Sequence, residues 1–113
     1  MSLPFQQVAP EFCVAPQLDP AAMAEAAAAG FKSVINNRPD GEGGPDQPLS
    51  SAVEAAAHAA GLEYRYLPVN GAFQSPEEIA AMRKLVDALP KPILAFCRSG
   101  ARSTRLFTAA SML

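Results

Sequence analysis

The sequence predicts an α/β domain whose mostly parallel sheet is flanked by helices, with an anion site between the last strand and the last helix. Short apolar runs alternate with longer helix-like stretches along the chain. Such alternation is typical of a layered domain with a parallel sheet. The last apolar run is followed directly by a loop that contains a cysteine, a glycine and two arginines. The 113 residues suit a single domain, which we place at residues 1–113.

The first half of the chain predicts two strands and one helix. Prolines flank the first apolar run, which predicts that its strand lies at an edge of the sheet. Asp19 and Pro20 predict the start of a helix, with Asp19 as N-cap and Pro20 at the first helical position. Gly30 is a typical helix stop. The predicted elements are a strand at 12–15, a helix at 21–29, a strand at 33–35 and a Gly/Pro-rich loop at 38–45.

The second half predicts two further strands and three helices. Ser51 and Glu54 match a capping box, and Ser75 and Glu78 match a second one. The continuous apolar run at 93–96 suits a central strand that is covered on both faces. The predicted elements are a helix at 51–60, a strand at 62–69, a helix at 76–89, a strand at 93–96 and a helix at 103–113.

The loop after the predicted central strand concentrates the chemistry. A loop between a strand end and a helix start directs backbone N–H groups and the positive end of the helix dipole at one spot. Gly100 lets the backbone turn inward, and Arg102 supplies a planar fork of donors for an oxyanion. A cysteine in this position ionises easily. We therefore predict catalytic roles for Cys97, Arg102 and Ser103, and anion binding by Arg98, Ser99, Gly100 and Ala101.

Composition excludes several classes of protein. The formal net charge is −2 and the pI is about 5.3, which disfavours a nucleic-acid binder and a polybasic membrane-surface protein. No run has the length of a membrane span, and the first ten residues have no signal-peptide pattern. Two cysteines are too few for a secreted disulfide framework and fit no zinc site. We expect a cytoplasmic protein without a metal or nucleotide cofactor, and the sequence predicts no oligomeric state.

Three stretches of the chain carry a family resemblance: 14–18, 34–40 and 94–103. With them the chain resembles the bacterial beta-lactamase hydrolase-like protein, phosphatase-like domain family, over roughly residues 12–113. That family is similar in fold to dual-specificity and tyrosine phosphatases, so the resemblance implies a cysteine-phosphatase-like sheet. It also implies a nucleophile at Cys97, an anion-gripping arginine at Arg102, and a phosphocysteine intermediate with a phosphoester substrate.

Two departures leave a second chemistry open. Four residues separate Cys97 from Arg102, whereas tyrosine phosphatases have five, and four is the spacing in many rhodaneses, which are sulfurtransferases. Asn70 stands near the place where phosphatases carry an aspartic acid that protonates the leaving group, and an amide cannot serve as that acid. Asp40 is a candidate substitute donor. Persulfide exchange needs no such acid, because sulfur is a good leaving group.

Arg38 and Asp40 follow the second predicted strand. Because ligands favour the carboxyl ends of parallel strands, this segment is a candidate part of the site. An ion pair that anchors the loop is the alternative interpretation.

Three functional hypotheses follow. The first is a phosphatase-like hydrolase, which the chain-long resemblance favours. The second is a rhodanese-like sulfurtransferase that carries a persulfide on Cys97. The third is a non-catalytic module that binds an anionic partner through the loop. We expect a phosphorylated or sulfur-containing anionic substrate.

Overall fold

The structure, a computed structural model, describes residues 3–113 and contains a five-stranded sheet with helices on both faces. The strands are β1 (Gln6–Ala9), β2 (Phe12–Ala15), β3 (Ser33–Asn36), β4 (Glu63–Tyr66) and β5 (Ile93–Phe96). The helices are α1 (Ala22–Ala28), α2 (Ser50–Ala59), α3 (Pro76–Ala88) and α4 (Ala101–Ser111).

The strand order β1-β2-β5-β3-β4 confirms the predicted α/β class. The last four strands in this order run parallel, and β1 runs antiparallel to β2. As predicted, β5 is central: Leu94 lies opposite both Cys13 of β2 and Val34 of β3. Because the parallel strands end at the same edge of the sheet, the segments that follow them meet there.

The predicted edge position of β2 is wrong, because β1 covers that side. The sequence analysis missed β1, whose residues are exposed or half-buried and begin with two glutamines. A strand at the edge of a sheet needs no apolar alternation when its outer side faces solvent, so its sequence resembles a loop. Glu11, with φ of 63°, forms the tight turn that returns the chain into β2.

The predicted starts of α1 and α2 differ from the structure. Helix α1 begins at Ala22 rather than at Pro20, although the Ala22 N–H still donates to Oδ1 of Asp19 at 3.0 Å. The capping box predicted at Ser51 is wrong, because α2 already begins at Ser50. The Ser50 N–H instead donates to Oδ1 of Asp40, at 2.8 Å, so a distant loop caps this helix.

Of the two remaining helix starts, that of α3 is confirmed and that of α4 differs. The Ser75–Glu78 capping box is confirmed, since Ser75 Oγ accepts from the Glu78 N–H and Glu78 Oε1 accepts from the Ser75 N–H. Strand β4 is shorter than the predicted 62–69, and α4 begins two residues earlier than predicted.

The core lies in two layers because strand side chains alternate between the faces of the sheet. Leu94 and Phe96 of β5 pack on the side of α1 and α2, and Ile93 and Ala95 pack on the side of α3 and α4. Within residues 3–113, no helix combines the length and the apolar character that a bilayer crossing requires.

Candidate active site

Cys97 is the first residue after β5 and lies at the carboxyl edge of the sheet. Its side chain is buried, and its backbone N–H reaches the carbonyl of Ala15 at 3.4 Å. The Gly100 N–H donates to the Cys97 sulfur at 3.0 Å. Gly100 has φ of 95°, a left-handed conformation that a side chain would strain, and it is also the N-cap of α4. The loop and the helix N-terminus are therefore both directed at the sulfur.

The surroundings of Cys97 favour its thiolate form. Burial by itself raises the pKa of the thiol, but hydrogen bonds from the Ser103 backbone and hydroxyl and from the Ser99 and Gly100 backbones outweigh it. The net effect lowers the pKa of Cys97. Cys13 shows the contrast: it is buried in β2, and burial alone raises the pKa of its thiol. Both cysteines are free thiols.

Arg102 lies in the first turn of α4 and is nine-tenths buried. Its Nη1 donates to the carbonyls of Asn37, at 3.3 Å, and Val69, at 3.0 Å. Its Nη2 donates to Oε1 of Glu42 at 3.0 Å. Within the described residues, its buried Nε has no hydrogen-bond partner. A buried N–H without a partner is costly, so Nε is the group of Arg102 that remains available to an oxyanion.

Ser103 is fully buried and is held by Asn37. The Ser103 hydroxyl donates to Oδ1 of Asn37 at 2.8 Å, and Asn37 Nδ2 donates to the carbonyl of Leu67 at 3.1 Å. Sequence reasoning assigned no role to Asn37. The available signal was an asparagine at the end of a strand followed by a loop, inside the stretch 34–40 that carries the resemblance.

Glu42 is a second residue that sequence reasoning missed. Its Oε1 accepts hydrogen bonds from Arg102 Nη2 and from Arg38 Nε, each at 3.0 Å. The hydrogen bond from Arg102 is the largest of the effects that lower the pKa of the Glu42 carboxyl. The residue lies in a Gly/Pro-rich loop, where no local pattern marks a carboxylate as part of a site. Arg38 forms its ion pair with Glu42 and not with Asp40, and its Nη1 also donates to Gln17 Oε1 at 3.1 Å.

Asp40 and Asn70 have other partners than the cysteine loop. The Asp40 carboxylate accepts from the first N–H of α2, and the backbone N–H of Asp40 donates to the Tyr66 hydroxyl at 2.8 Å. Asn70 Oδ1 accepts from the Ala72 N–H at 2.7 Å, which closes the turn that follows β4. The structure thus gives both side chains local structural partners.

The turn after β4 packs directly against Arg102. A Cβ built at Gly71 would lie 3.0 Å from Arg102 Nη2 and 3.3 Å from its Nε. Arg105 Nη2 donates to the Gly71 carbonyl at 2.7 Å and holds this turn in place. In the cysteine loop itself Arg98, Ser99 and Ala101 are exposed. The predicted loop residues therefore lie together between β5 and the first turn of α4. Asp40 and Asn70 instead hold the start of α2 and the turn after β4.

Comparisons with known proteins show the family to which the chain is similar. The family model for the beta-lactamase hydrolase-like protein, phosphatase-like domain matches residues 4–113. The beta-lactamase hydrolase-like protein of Agrobacterium fabrum is 38% identical over 86 residues, which cover 76% of this chain and 20% of that protein. The counterpart from Xylella fastidiosa is 37% identical over 84 residues, covering 74% of this chain and 19% of that protein. The chain thus spans about a fifth of the length of these curated relatives.

A solved structure has the same fold. A protein of Neisseria meningitidis that has been assigned as a phosphatase superimposes with a TM-score of 0.78 at 30% identity, covering 85% of this chain and 68% of that one. The match to the family model extends over nearly the whole chain, and the solved structure shares its sheet and its helices. The chain belongs to the family of the beta-lactamase hydrolase-like protein, phosphatase-like domain.

Proposed function

We propose that this domain hydrolyses a phosphoester with Cys97 as nucleophile and Arg102 as the group that binds the phosphoryl oxygens. One observation carries the proposal: the Cys97 sulfur accepts an N–H from Gly100 at a helix N-terminus, while the next turn brings in a buried arginine with a spare Nε. The phosphatase-like family and the solved neighbour support this reaction class.

The reaction would proceed in two displacements. The Cys97 thiolate attacks phosphorus, the ester P–O bond breaks, and the leaving oxygen keeps the electron pair. Water then attacks the phosphocysteine, which releases inorganic phosphate and restores the thiolate. The N–H groups of the loop and Arg102 would stabilise the charge on the phosphoryl oxygens in both steps.

The absence of an acid at Asn70 restricts the leaving group. A positioned general acid contributes about 10²–10⁴-fold to such reactions. Since the Asn70 side chain accepts from Ala72 and cannot release a proton, activity would depend on leaving groups that depart as stable anions. Esters of acidic alcohols or phenols fit this requirement.

Hydrolysis of p-nitrophenyl phosphate tests the proposal, because its leaving group needs no acid. We expect turnover by the wild type, no turnover by Cys97→Ser, and a loss of about 10²–10³-fold in Arg102→Ala, which removes a donor to the developing charge. Cys13→Ser is the matched control and keeps full turnover, since Cys13 is a buried residue of β2. Equal rates for wild type and Cys97→Ser would contradict phosphocysteine chemistry.

The spacing of four residues between Cys97 and Arg102 favours one alternative, persulfide transfer on the same sulfur. In that reaction the Cys97 thiolate takes the outer sulfur of thiosulfate, sulfite leaves, and cyanide then accepts that sulfur as thiocyanate. Thiocyanate formation that requires Cys97, in a protein without phosphatase turnover, would replace the proposed reaction with this one.

A further inference from the structure

Glu42 joins two buried arginines at the edge of the cysteine loop. It lies in the segment between β3 and α2, and the same oxygen, Oε1, accepts from Arg38 Nε and Arg102 Nη2 at 3.0 Å each. The two arginine side chains are only 10% and 9% exposed, and that of Glu42 is 28% exposed. The shared oxygen makes Glu42 the common partner of both guanidinium groups.

The loop around Glu42 is packed closely enough to fix this contact. A Cβ at Gly43 would lie 2.5 Å from Arg38 Nη2, so a side chain there would displace that guanidinium. Arg38 Nη1 donates to Gln17 Oε1, and the Gln17 backbone N–H donates to the carbonyl of Arg98 in the cysteine loop. The Glu42 carboxylate is therefore held against Arg102 by a chain of contacts that returns to the site.

These contacts determine the orientation of Arg102. A guanidinium is a rigid planar fork, so fixing Nη1 and Nη2 also fixes the direction of the Nε–H. Carbonyls of Asn37 and Val69 hold Nη1, and Glu42 holds Nη2. Gly71 has no side chain to cover the Nε–Nη2 edge, which a Cβ there would approach to 3.0 Å. This edge, whose buried Nε has no hydrogen-bond partner among the described residues, is the one that presents two parallel N–H groups to an oxyanion.

We propose that Glu42 is a positioning residue for anion binding: it orients Arg102 so that the Nε edge meets an oxyanion held on the cysteine loop. Glu42 itself does not touch the anion. The proposal deepens the proposed function, on which it rests for the identity of the anion, but it concerns anion binding and not hydrolysis. The opposing possibility is that the carboxylate competes with the anion for Arg102. In that case, removal of the carboxylate would strengthen anion binding.

The test compares alkylation of Cys97 by iodoacetate, an anion, with alkylation by the neutral iodoacetamide, followed by mass spectrometry of the Cys97 peptide. The ratio of the two rates reports how well the site attracts an anion, whether or not the protein hydrolyses esters. Protection of Cys97 from iodoacetamide by inorganic phosphate gives a second measure. Glu42→Ala removes the carboxylate, Glu42→Gln keeps an acceptor, and thermal unfolding establishes that each variant is folded.

We expect the ratio and the phosphate affinity of Glu42→Ala to fall about tenfold, the effect of one lost charge-assisted hydrogen bond. Glu42→Gln should recover most of this loss, because its amide oxygen still accepts from Arg102. Glu63→Gln is the matched control and leaves both measures unchanged, since Glu63 pairs with Arg65 at the far end of the sheet, level with Ile93. A ratio in Glu42→Ala that equals or exceeds the wild-type ratio overturns the proposal.

Discussion

The hydroxyl of Ser103 donates a 2.8 Å hydrogen bond to Oδ1 of Asn37, and this contact ties the first turn of α4 to the residue that follows β3. Both side chains are fully buried. The backbone N–H and the hydroxyl of Ser103 also lower the pKa of Cys97, but the hydroxyl has a single proton, for which the sulfur and Asn37 Oδ1 compete. We therefore expect Asn37 to influence the Cys97 thiol through the Ser103 hydroxyl.

Ser103→Ala is expected to raise the pKa of Cys97, because the thiolate loses one of its donors while the burial that disfavours its charge remains. Since a lowered pKa lets the reactive thiolate persist to lower pH, the alkylation of Cys97 in this variant should begin at higher pH than in the wild type. The measurement is the iodoacetamide rate at Cys97 over a pH series. Cys13 serves as the internal comparison, because burial raises the pKa of its thiol. An unchanged Cys97 profile would exclude a role for the hydroxyl.

Asn37→Ala should affect both stability and reactivity. It leaves the Leu67 carbonyl without its donor and Ser103 without its acceptor, so we expect unfolding to become easier by about 1–3 kcal/mol in urea titrations. The Cys97 alkylation profile should move to lower pH as well, since the Ser103 hydroxyl proton no longer has Asn37 as a competing acceptor and is free to stabilise the thiolate. Ser33→Ala is the control: it removes a buried hydrogen bond to Pro90 at the other end of the same strand. A shift of the profile in both variants would mean that the shift follows lost stability and not the loss of Asn37.

Gly71→Ala is expected to weaken anion binding, because its Cβ would lie 3.0 Å from Arg102 Nη2 and the turn or the guanidinium must move. We expect KM for p-nitrophenyl phosphate to rise by roughly tenfold, the effect of one displaced charge-assisted hydrogen bond. Gly30→Ala is the contrast, since no atom lies within 4 Å of its Cβ but its φ is 100°. That variant should lose roughly 1–2 kcal/mol of stability and keep its KM. Unaltered KM in Gly71→Ala would mean that Arg102 tolerates a side chain at that edge.

Substitutions of Asp40 distinguish its role as the cap of α2 from a role as the general acid. The Asp40 carboxylate accepts from the Ser50 N–H, so Asp40→Ala should cost about 1 kcal/mol and Asp40→Asn should retain the cap. If Asp40 only caps α2, hydrolysis of phenyl phosphate relative to p-nitrophenyl phosphate stays the same in Asp40→Asn. A selective loss of phenyl phosphate hydrolysis, of about 10²–10⁴-fold, would instead identify Asp40 as the missing acid.

The features that sequence predicts well here are those with local signals. The apolar run at β5, the capping box of α3 and the order of strands and helices from β2 onward each depend on neighbouring residues, and all three were confirmed. Strand β1 has no such signal, because a strand at the edge of the sheet can carry polar residues that face solvent. The cap of α2 comes from Asp40, ten residues before Ser50, so the nearby Ser51 gave a misleading pattern.

The candidate site divides in the same way. The cysteine loop is a continuous segment, so its residues could be proposed from the sequence. Asn37 and Glu42 reach it across 66 and 60 residues of chain, through contacts with Ser103 and Arg102. Only the folded sheet brings these segments together, so no spacing along the chain could have indicated their roles.

The two carbonyls that hold Arg102 Nη1 also limit how this site could be moved to another protein. They belong to Asn37 and Val69, in segments that follow β3 and β4. A graft of residues 97–103 onto a different strand–helix junction would transfer the activated sulfur but leave the guanidinium without its backbone anchors. Protein engineers who wish to transplant the chemistry would have to carry three separate stretches of backbone, with their relative spacing, into the new scaffold.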